Sequence, residues 1–225
     1  MITDDPGTPG DGHWEINLAT QTNHTAGTTT FQLPLVDANY GVGERVQLKF
    51  ELPWLVQDEL GGESRSVVGD GLIGVKWRFY DAGENAWQVS VYPQMGFGFP
   101  QATSTSSGLA DNGTSYLLPF EFARGFDDFD INFELGRWVR PAQQADTWIA
   151  GFVLTHEVQK GLELIAELHD ESAMHQVQDE LTLNFGTRWD MSAKYTLLMS
   201  AGRDLHNTLS SRNTLMTYLG LQMRY

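Results

Sequence analysis

Apolar and polar residues alternate along most of the chain, and this period of two constrains the fold more than any other feature of the sequence. Val46, Leu48 and Phe50 alternate with Gln47 and Lys49, for example. Alternation at 180° per residue is typical of β-strands with one apolar and one polar face. We predict twelve strands and no helix of three turns. The strands are residues 13–22, 30–39, 45–55, 70–80, 86–97, 114–123, 129–138, 146–156, 161–169, 180–190, 194–203 and 213–225.

The predicted connections sort by length. Those after even-numbered strands are short, such as 40–44 and 191–193, and those after odd-numbered strands are mostly longer, such as 23–29 and 98–113. Aromatic residues near predicted strand ends add two belts: Trp14, Phe79, Trp87, Phe122, Trp189, Tyr195 and Tyr225 at one rim, and Trp54, Phe97 and Trp148 at the other. Both features are typical of outer-membrane barrels. We therefore predict an all-β fold, a twelve-stranded antiparallel transmembrane up-and-down β-barrel over residues 13–225.

The composition of the chain excludes several classes of function. The net charge of −15 argues against a nucleic-acid partner, because phosphate binding needs a basic field. The chain has no cysteine, which excludes thiolate catalysis and thiolate metal sites, and we expect no cofactor. The terminal Tyr225 follows apolar residues at alternate positions, as in the last strand that the barrel assembly machinery reads in bacterial outer-membrane proteins. We expect that machinery, outer-membrane lipid and lipopolysaccharide as partners, and a monomer.

Residues 1–12 precede the first strand and are rich in Asp, Pro and Gly. Pro6 and Pro9 stiffen this stretch. We predict an ordered or semi-ordered periplasmic N-terminal extension, and the alternative is a plug that folds into the lumen.

Four stretches of the sequence resemble a known family. They are residues 3–19, 34–49, 69–79 and 92–94. They are similar to the Gram-negative outer-membrane channel family named for the meta-pathway of phenol degradation. The resemblance implies a twelve-stranded channel that admits hydrophobic or aromatic small molecules, and it implies no catalytic residue.

In a barrel the polar alternate positions face the lumen. The candidate pore-lining residues are Lys49, Glu51, Lys76, Arg78, Tyr92, Gln94, Glu121, Glu134 and Arg188. Their charges either form a constriction that orients polar solutes or pair with one another and fill the interior. An apolar lumen set is predicted beside them: Val36, Leu72, Leu117, Ile149, Val153, Ile165, Leu198 and Met216.

These residues predict a passive diffusion channel of a bacterial outer membrane for uptake of hydrophobic or aromatic small molecules, without enzymatic activity. A narrow porin for small polar solutes is the first alternative. An outer-membrane lipid hydrolase is the second, with His169, Ser172 and Asn207 as candidates, although the spacing puts His169 and Ser172 on opposite faces of a strand. His169, Asp170, Glu171 and His175 are candidates for a divalent cation, with a solvated loop as the alternative.

Overall fold

The structure, a computed structural model, describes residues 1–83, 85–98, 109, 113–140, 145–173, 179–208 and 212–225. Fourteen β-strands follow one another in this part of the chain. They are β1 Trp14–Thr25, β2 Thr28–Val42, β3 Val46–Glu59, β4 Arg65–Val68, β5 Gly71–Asp81, β6 Trp87–Val91, β7 Gln94–Phe97, β8 Thr114–Gly125, β9 Phe129–Val139, β10 Thr147–Gln159, β11 Leu162–Ala173, β12 Asp179–Asp190, β13 Tyr195–Asn207 and β14 Leu215–Arg224. None of the described residues forms a helix that would span a membrane.

The strands make one closed antiparallel barrel of twelve staves. The strands β4 and β5 both pair with β3 and form one interrupted stave, and β6 and β7 both pair with β8 and form another. Pairing of β1 with β14, from Glu15 opposite Arg224 to His24 opposite Leu215, closes the wall. Closure leaves no edge strand with unpaired backbone N–H and C=O groups, as a membrane barrel requires. The predicted fold class is confirmed.

The second interruption has a local cause. The stave of β6 and β7 is broken at Tyr92 and Pro93, and Pro119 of the neighbouring β8 lies beside the break, where its carbonyl accepts the Tyr92 amide at 3.1 Å. Neither proline has an N–H group to donate to a ladder. The chain therefore continues past the break, but regular pairing stops for two residues.

The outer face of the barrel is apolar. Leu48, Phe50, Ile73, Val75 and Leu219 are exposed on it. Exposed aromatic residues lie at both ends of the strands, with Trp14, Trp87, Trp189, Tyr195 and Tyr225 at the end with short turns and Trp54, Tyr116 and Trp148 at the opposite end. A closed barrel with an apolar exterior between two aromatic belts is built to sit in a bilayer. The protein has the architecture of a transmembrane β-barrel.

We call the end with the turns 43–45, 126–128, 160–161 and 191–194 the short-turn end, and the other the long-loop end. Several strands run further toward the long-loop end than predicted. The segment predicted as a loop over 23–29 is a tight turn instead, because the β1–β2 ladder continues to Thr25 opposite Thr28. The β2–β3 ladder likewise continues to Thr28 opposite Glu59.

One predicted lumen residue lies on the wrong face. A register shift between Gln32 and Leu35 in the β2–β3 ladder moves the parity of β2 by one residue. Leu35 is consequently buried and lines the lumen, whereas Val36 pairs with the outward-facing Leu18.

Candidate pore site

The chain segment before β1 enters the barrel from the short-turn end. It is held there by the β2–β3 turn: the Gly12 amide donates to the Gly41 carbonyl at 3.0 Å, and the Asp11 carboxylate accepts the Gly43 amide at 2.8 Å. Position 41 leaves no room for a side chain, because an added Cβ would lie 1.8 Å from the Gly10 carbonyl oxygen. The segment therefore packs directly on the inner end of β2 before it turns into the lumen.

Residues 1–7, which we call the plug, cross the lumen to the opposite wall. The amides of Ile2 and Thr3 donate to Oε1 of Glu167 on β11 at 2.8 and 2.6 Å. The Thr3 hydroxyl lies 3.3 Å from His169 Nδ1, and the Asn184 side-chain amide donates to the other Glu167 oxygen at 2.7 Å. Three N–H donors, two of them from the plug, surround the buried Glu167 carboxylate and hold the tip of the plug.

Gly151 on β10 makes the room for this tip. A Cβ at that position would lie 2.2 Å from the Thr3 hydroxyl oxygen. The missing side chain leaves a notch in the inner wall, and Thr3 fills it with only 8% of its surface exposed.

The middle of the plug meets Lys76. The Lys76 ammonium, which is fully buried, lies 2.9 Å from the Asp4 carboxylate and donates to the Asp5 carbonyl. It also lies 3.4 Å from Glu121 and 4.6 Å from the centre of the Tyr92 ring. Ionic and cation–π contacts together offset the cost of burying this charge. Lys76 thus joins the plug to the barrel wall.

The periplasmic placement of residues 1–12 predicted from the sequence is not what the structure shows. Residues 1–7 lie in the lumen, and 8–12 lie at its short-turn end. The plug alternative describes the observed arrangement. Its physical reason is complementarity: backbone amides of the plug meet wall carboxylates, and its own carboxylate meets the wall ammonium.

All nine predicted pore-lining residues lie on inner-facing positions, but they divide into separate groups. Lys76, Tyr92, Glu121 and Glu134 surround the plug. Lys49 pairs with Asp37 at 3.0 Å and with Glu51 at 2.9 Å in a second group. The remaining three residues lie apart from these groups. Arg78 pairs with Asp81 at 3.3 Å, and Arg188 pairs with Glu163 at 3.4 Å. Gln94 lies beside Gly74, which has no side chain. The structure therefore does not join Lys76 and Arg78 into one basic row.

A cavity of about 820 Å³ remains between the plug and the wall. It extends along the short-turn half of the lumen, and most of its lining is polar. Glu15, Asn17, Asn39, Gln47 and Arg224 contribute to it. Plug residues and wall residues both line this space.

The inner wall of the long-loop half has two different sides. One side, on β4, β5, β8 and β10, is apolar and includes Val67, Leu72, Leu117 and Ile149, three of which are buried. The other side, on β11 to β13, is polar and acidic and carries Glu171, Glu180, Thr182 and Asp204. Val67, Leu117 and Ile149 are buried, so the surface of this apolar side is covered in the structure.

Comparison with solved structures identifies the same architecture in known channels. The COG4313 outer membrane channel from Pseudomonas putida F1 superposes with a TM-score of 0.83 at 13% identity, covering 100% of both chains. The KdgM porin gives 0.60 at 9% identity, covering 92% of this chain and 98% of the porin. The NanC porin gives 0.61 at 10% identity, covering 92% and 97%. No protein-family model and no curated protein sequence matches the chain. The barrel has the fold of outer-membrane channels and porins.

The residues considered for hydrolysis do not assemble. His169 faces the lumen and contacts Thr3, whereas Ser172 on the same strand donates to Asp170 on the outer face. Asn207 donates to Glu180 and Asp204. The candidate cation ligands on β11 also alternate between the two faces: His169 and Glu171 face the lumen, and Asp170 faces outward. His175 lies outside the described residues. Within the described chain no group of three or more His, Asp or Glu side chains has metal-binding geometry.

Sequence reasoning missed two residues of the site: Asp4, which belongs to the plug, and Gly151, which contacts it. Glu167, which binds the plug, and Asn184, which binds Glu167, were expected to face the lumen but were not among the candidate pore-lining residues. The inward parity of β11 and β12 pointed to Glu167 and Asn184. The sequence pattern gives no signal for Asp4 or Gly151, because their partners are distant along the chain.

Proposed function

We propose that the protein is a passive diffusion channel of the outer membrane for small hydrophobic or aromatic molecules. The observation that carries the proposal is the apolar inner side formed by Val67, Leu72, Leu117 and Ile149 at the long-loop half. An aqueous pore for sugars or ions has no need of such side chains. Three of them are buried, so an apolar solute must first displace what covers them, and it then gains about 25 cal/mol for each Å² of apolar surface that it buries there.

The short-turn end faces the periplasm in this proposal, because outer-membrane barrels have short periplasmic turns and longer outer loops. Solutes then meet the apolar side first and the plug second. The assembly machinery reads β14, and the barrel works as a monomer surrounded by lipid and lipopolysaccharide.

Planar-bilayer recording tests the proposal. We expect phenol to reduce the ionic current of the full-length protein, and Leu117→Gln to raise the half-blocking concentration about tenfold, since it removes a buried leucine from the apolar side. The matched control is Leu118→Gln. Leu118 is the next residue on β8 and is exposed on the outer face, so the phenol block should not change.

A narrow porin for small polar solutes is the second candidate, and the polar lining of the cavity favours it. Two of the similar structures are porins, and KdgM has been seen in complex with disordered oligogalacturonate. Liposome swelling separates the two functions. Rapid swelling in glycerol and arabinose, with a current that phenol leaves unchanged, would refute the hydrophobic channel and support the porin.

A further inference from the structure

Three buried glutamates form an arc on the inner wall at the depth of the plug. Glu121 on β8 and Glu134 on β9 are direct cross-strand partners, and Glu167 follows on β11. Between Glu134 and Glu167 runs β10, which presents Gly151 and its notch. Two buried carboxyl groups directly opposite each other in a sheet repel if both ionise, so this arrangement favours donors or cations close by.

Two of these carboxylates are incompletely satisfied. Glu121 is fully buried and accepts the Ser90 hydroxyl at 2.5 Å through Oε2, but its Oε1 has no hydrogen-bond partner. Glu134 is 5% exposed, and its Oε2 also lacks one. A buried carboxyl oxygen without a hydrogen-bond donor lowers the stability of the fold. A ligand that supplies donors to these two oxygens would remove that cost.

The present occupant of the arc shows which chemistry it accepts. The plug contributes N–H donors: the Ile2 and Thr3 amides bind Glu167. Lys76 contributes the ammonium group beside Glu121. If the plug leaves, Glu167 loses two backbone donors, while Lys76 remains on the wall.

Withdrawal of the plug changes the charge of the site. With the plug docked, Asp4 and the three glutamates face Lys76; without it, three glutamates face Lys76 and lose the plug amides. His169 at the notch is the other titratable group and loses its contact with Thr3. The excess of acidic side chains over ammonium groups falls from three to two because Asp4 leaves, but the glutamates lose the plug amides and an empty notch opens beside them.

We propose that this arc and notch form a binding site for an organic cation with N–H donors, an alkylammonium group, which competes with the plug. The inference rests on the proposed channel function and deepens it, because it specifies that the solute carries a cationic N–H group beside its apolar part. The ammonium takes the place of the plug amides between Glu134 and Glu167, and the alkyl part lies toward the apolar side of the long-loop half.

The chain has no cysteine, so a single cysteine reports on the plug in the full-length protein. Thr3→Cys places a thiol in the notch, where a docked plug protects it from a water-soluble methanethiosulfonate reagent. We expect n-butylammonium chloride to raise the modification rate several-fold in a saturable manner, because a ligand that binds the vacated site shifts the docking equilibrium. The neutral isostere 1-butanol and sodium chloride of equal ionic strength should not raise it.

Two variants in the reporter chain assign the effect to the site. Glu134→Gln keeps the shape of the side chain and removes its charge, and it should raise the half-saturating n-butylammonium concentration about tenfold. Glu157→Gln makes the same change in net charge at the exposed short-turn end of β10 and should leave it unchanged. If Glu134→Gln fails to fold, as judged by heat-modifiable gel mobility, Glu167→Gln replaces it.

The outcomes are distinct from those of the conductance test. A phenol-blocked channel in which n-butylammonium leaves the thiol protected, or accelerates it equally in Glu134→Gln and the parent chain, overturns this inference alone. A protein that shows no current, or a current that phenol does not affect, overturns the proposed function. An effect of sodium chloride equal to that of n-butylammonium would show screening rather than binding and would also reject the site.

Discussion

The ion pair between Asp4 and Lys76 should control how long the plug stays docked. The perturbation is Asp4→Asn, which removes the negative charge and keeps the size of the side chain. Asp4 is the only residue of the plug whose side chain contacts Lys76 in the described structure, so the change acts on the plug without altering the barrel wall. We expect a weaker plug in a barrel that is otherwise unchanged.

The magnitude follows from the geometry. At 2.9 Å and an effective dielectric constant of about 20, the Coulomb attraction is about 6 kcal/mol. Most of it is offset by the loss of hydration, since Lys76 is fully buried while the Asp4 side chain remains 38% exposed. The net value of a hydrogen bond between charged groups is about 1.5–3 kcal/mol.

Repulsion lowers this figure further. Asp4 also faces Glu121 and Glu134, and the asparagine relieves that repulsion. We therefore expect the lower end of the range, about 1.5 kcal/mol, which corresponds to a roughly tenfold fall in the docking constant.

Thiol modification of the Thr3→Cys chain measures this constant, because the rate follows the undocked fraction while docking is fast relative to modification. Asp4→Asn should raise the rate about tenfold. Asp127→Asn, an identical change at the exposed β8–β9 turn, is the control and should have no effect. An unchanged rate in Asp4→Asn would refute the idea that Lys76 holds the plug, and a rate increase of the same size in Asp127→Asn would point to net charge instead.

Two further predictions concern the wall and a loop. Val75→Arg, on the outer face near the middle of β5, should lower the free energy of unfolding in a bilayer by about 2–4 kcal/mol. Val42→Arg, at the short-turn end of β2, should lower it by about 0–1 kcal/mol. Equal losses for the two variants in urea unfolding from vesicles would contradict the assigned depth of Val75. In the β9–β10 loop, hydrogen bonds from the Arg140 amide and the Arg137 guanidinium lower the pKa of Asp146. These bonds should be present above the usual carboxyl pKa and be lost as the pH falls through the lowered value, and an NMR titration that finds Asp146 at its ordinary pKa would exclude them.

The wall of the barrel was predictable from the sequence because its physics is local and periodic. A residue such as Lys76 faces inward because Val75 and Trp77 face lipid, and a strand carries that parity along its whole length. The prediction failed for Val36, where a register shift that leaves no mark in the hydrophobic pattern moved the parity of β2. It also shortened strands at the long-loop end, where both faces are polar and alternation disappears.

The plug was less predictable because its contacts are neither local nor periodic. Asp4 meets Lys76 across 72 residues of sequence, and Thr3 meets Glu167 across 164. Residues 1–12 have no alternation from which a face could be assigned.

Closure of the wall does not depend on the plug, and this separation decides how the two respond to a solute. Trp14 and Tyr225 exchange both backbone hydrogen bonds at 2.9 Å, so the ladder is complete from the first residue of β1. The plug contributes no backbone bond to that ladder and is held by polar contacts that water replaces at small net cost. In the mechanism we propose, a solute that enters from the long-loop end competes with the polar contacts of residues 1–7 and not with the continuous ladder of the wall, and its polar group must displace the plug.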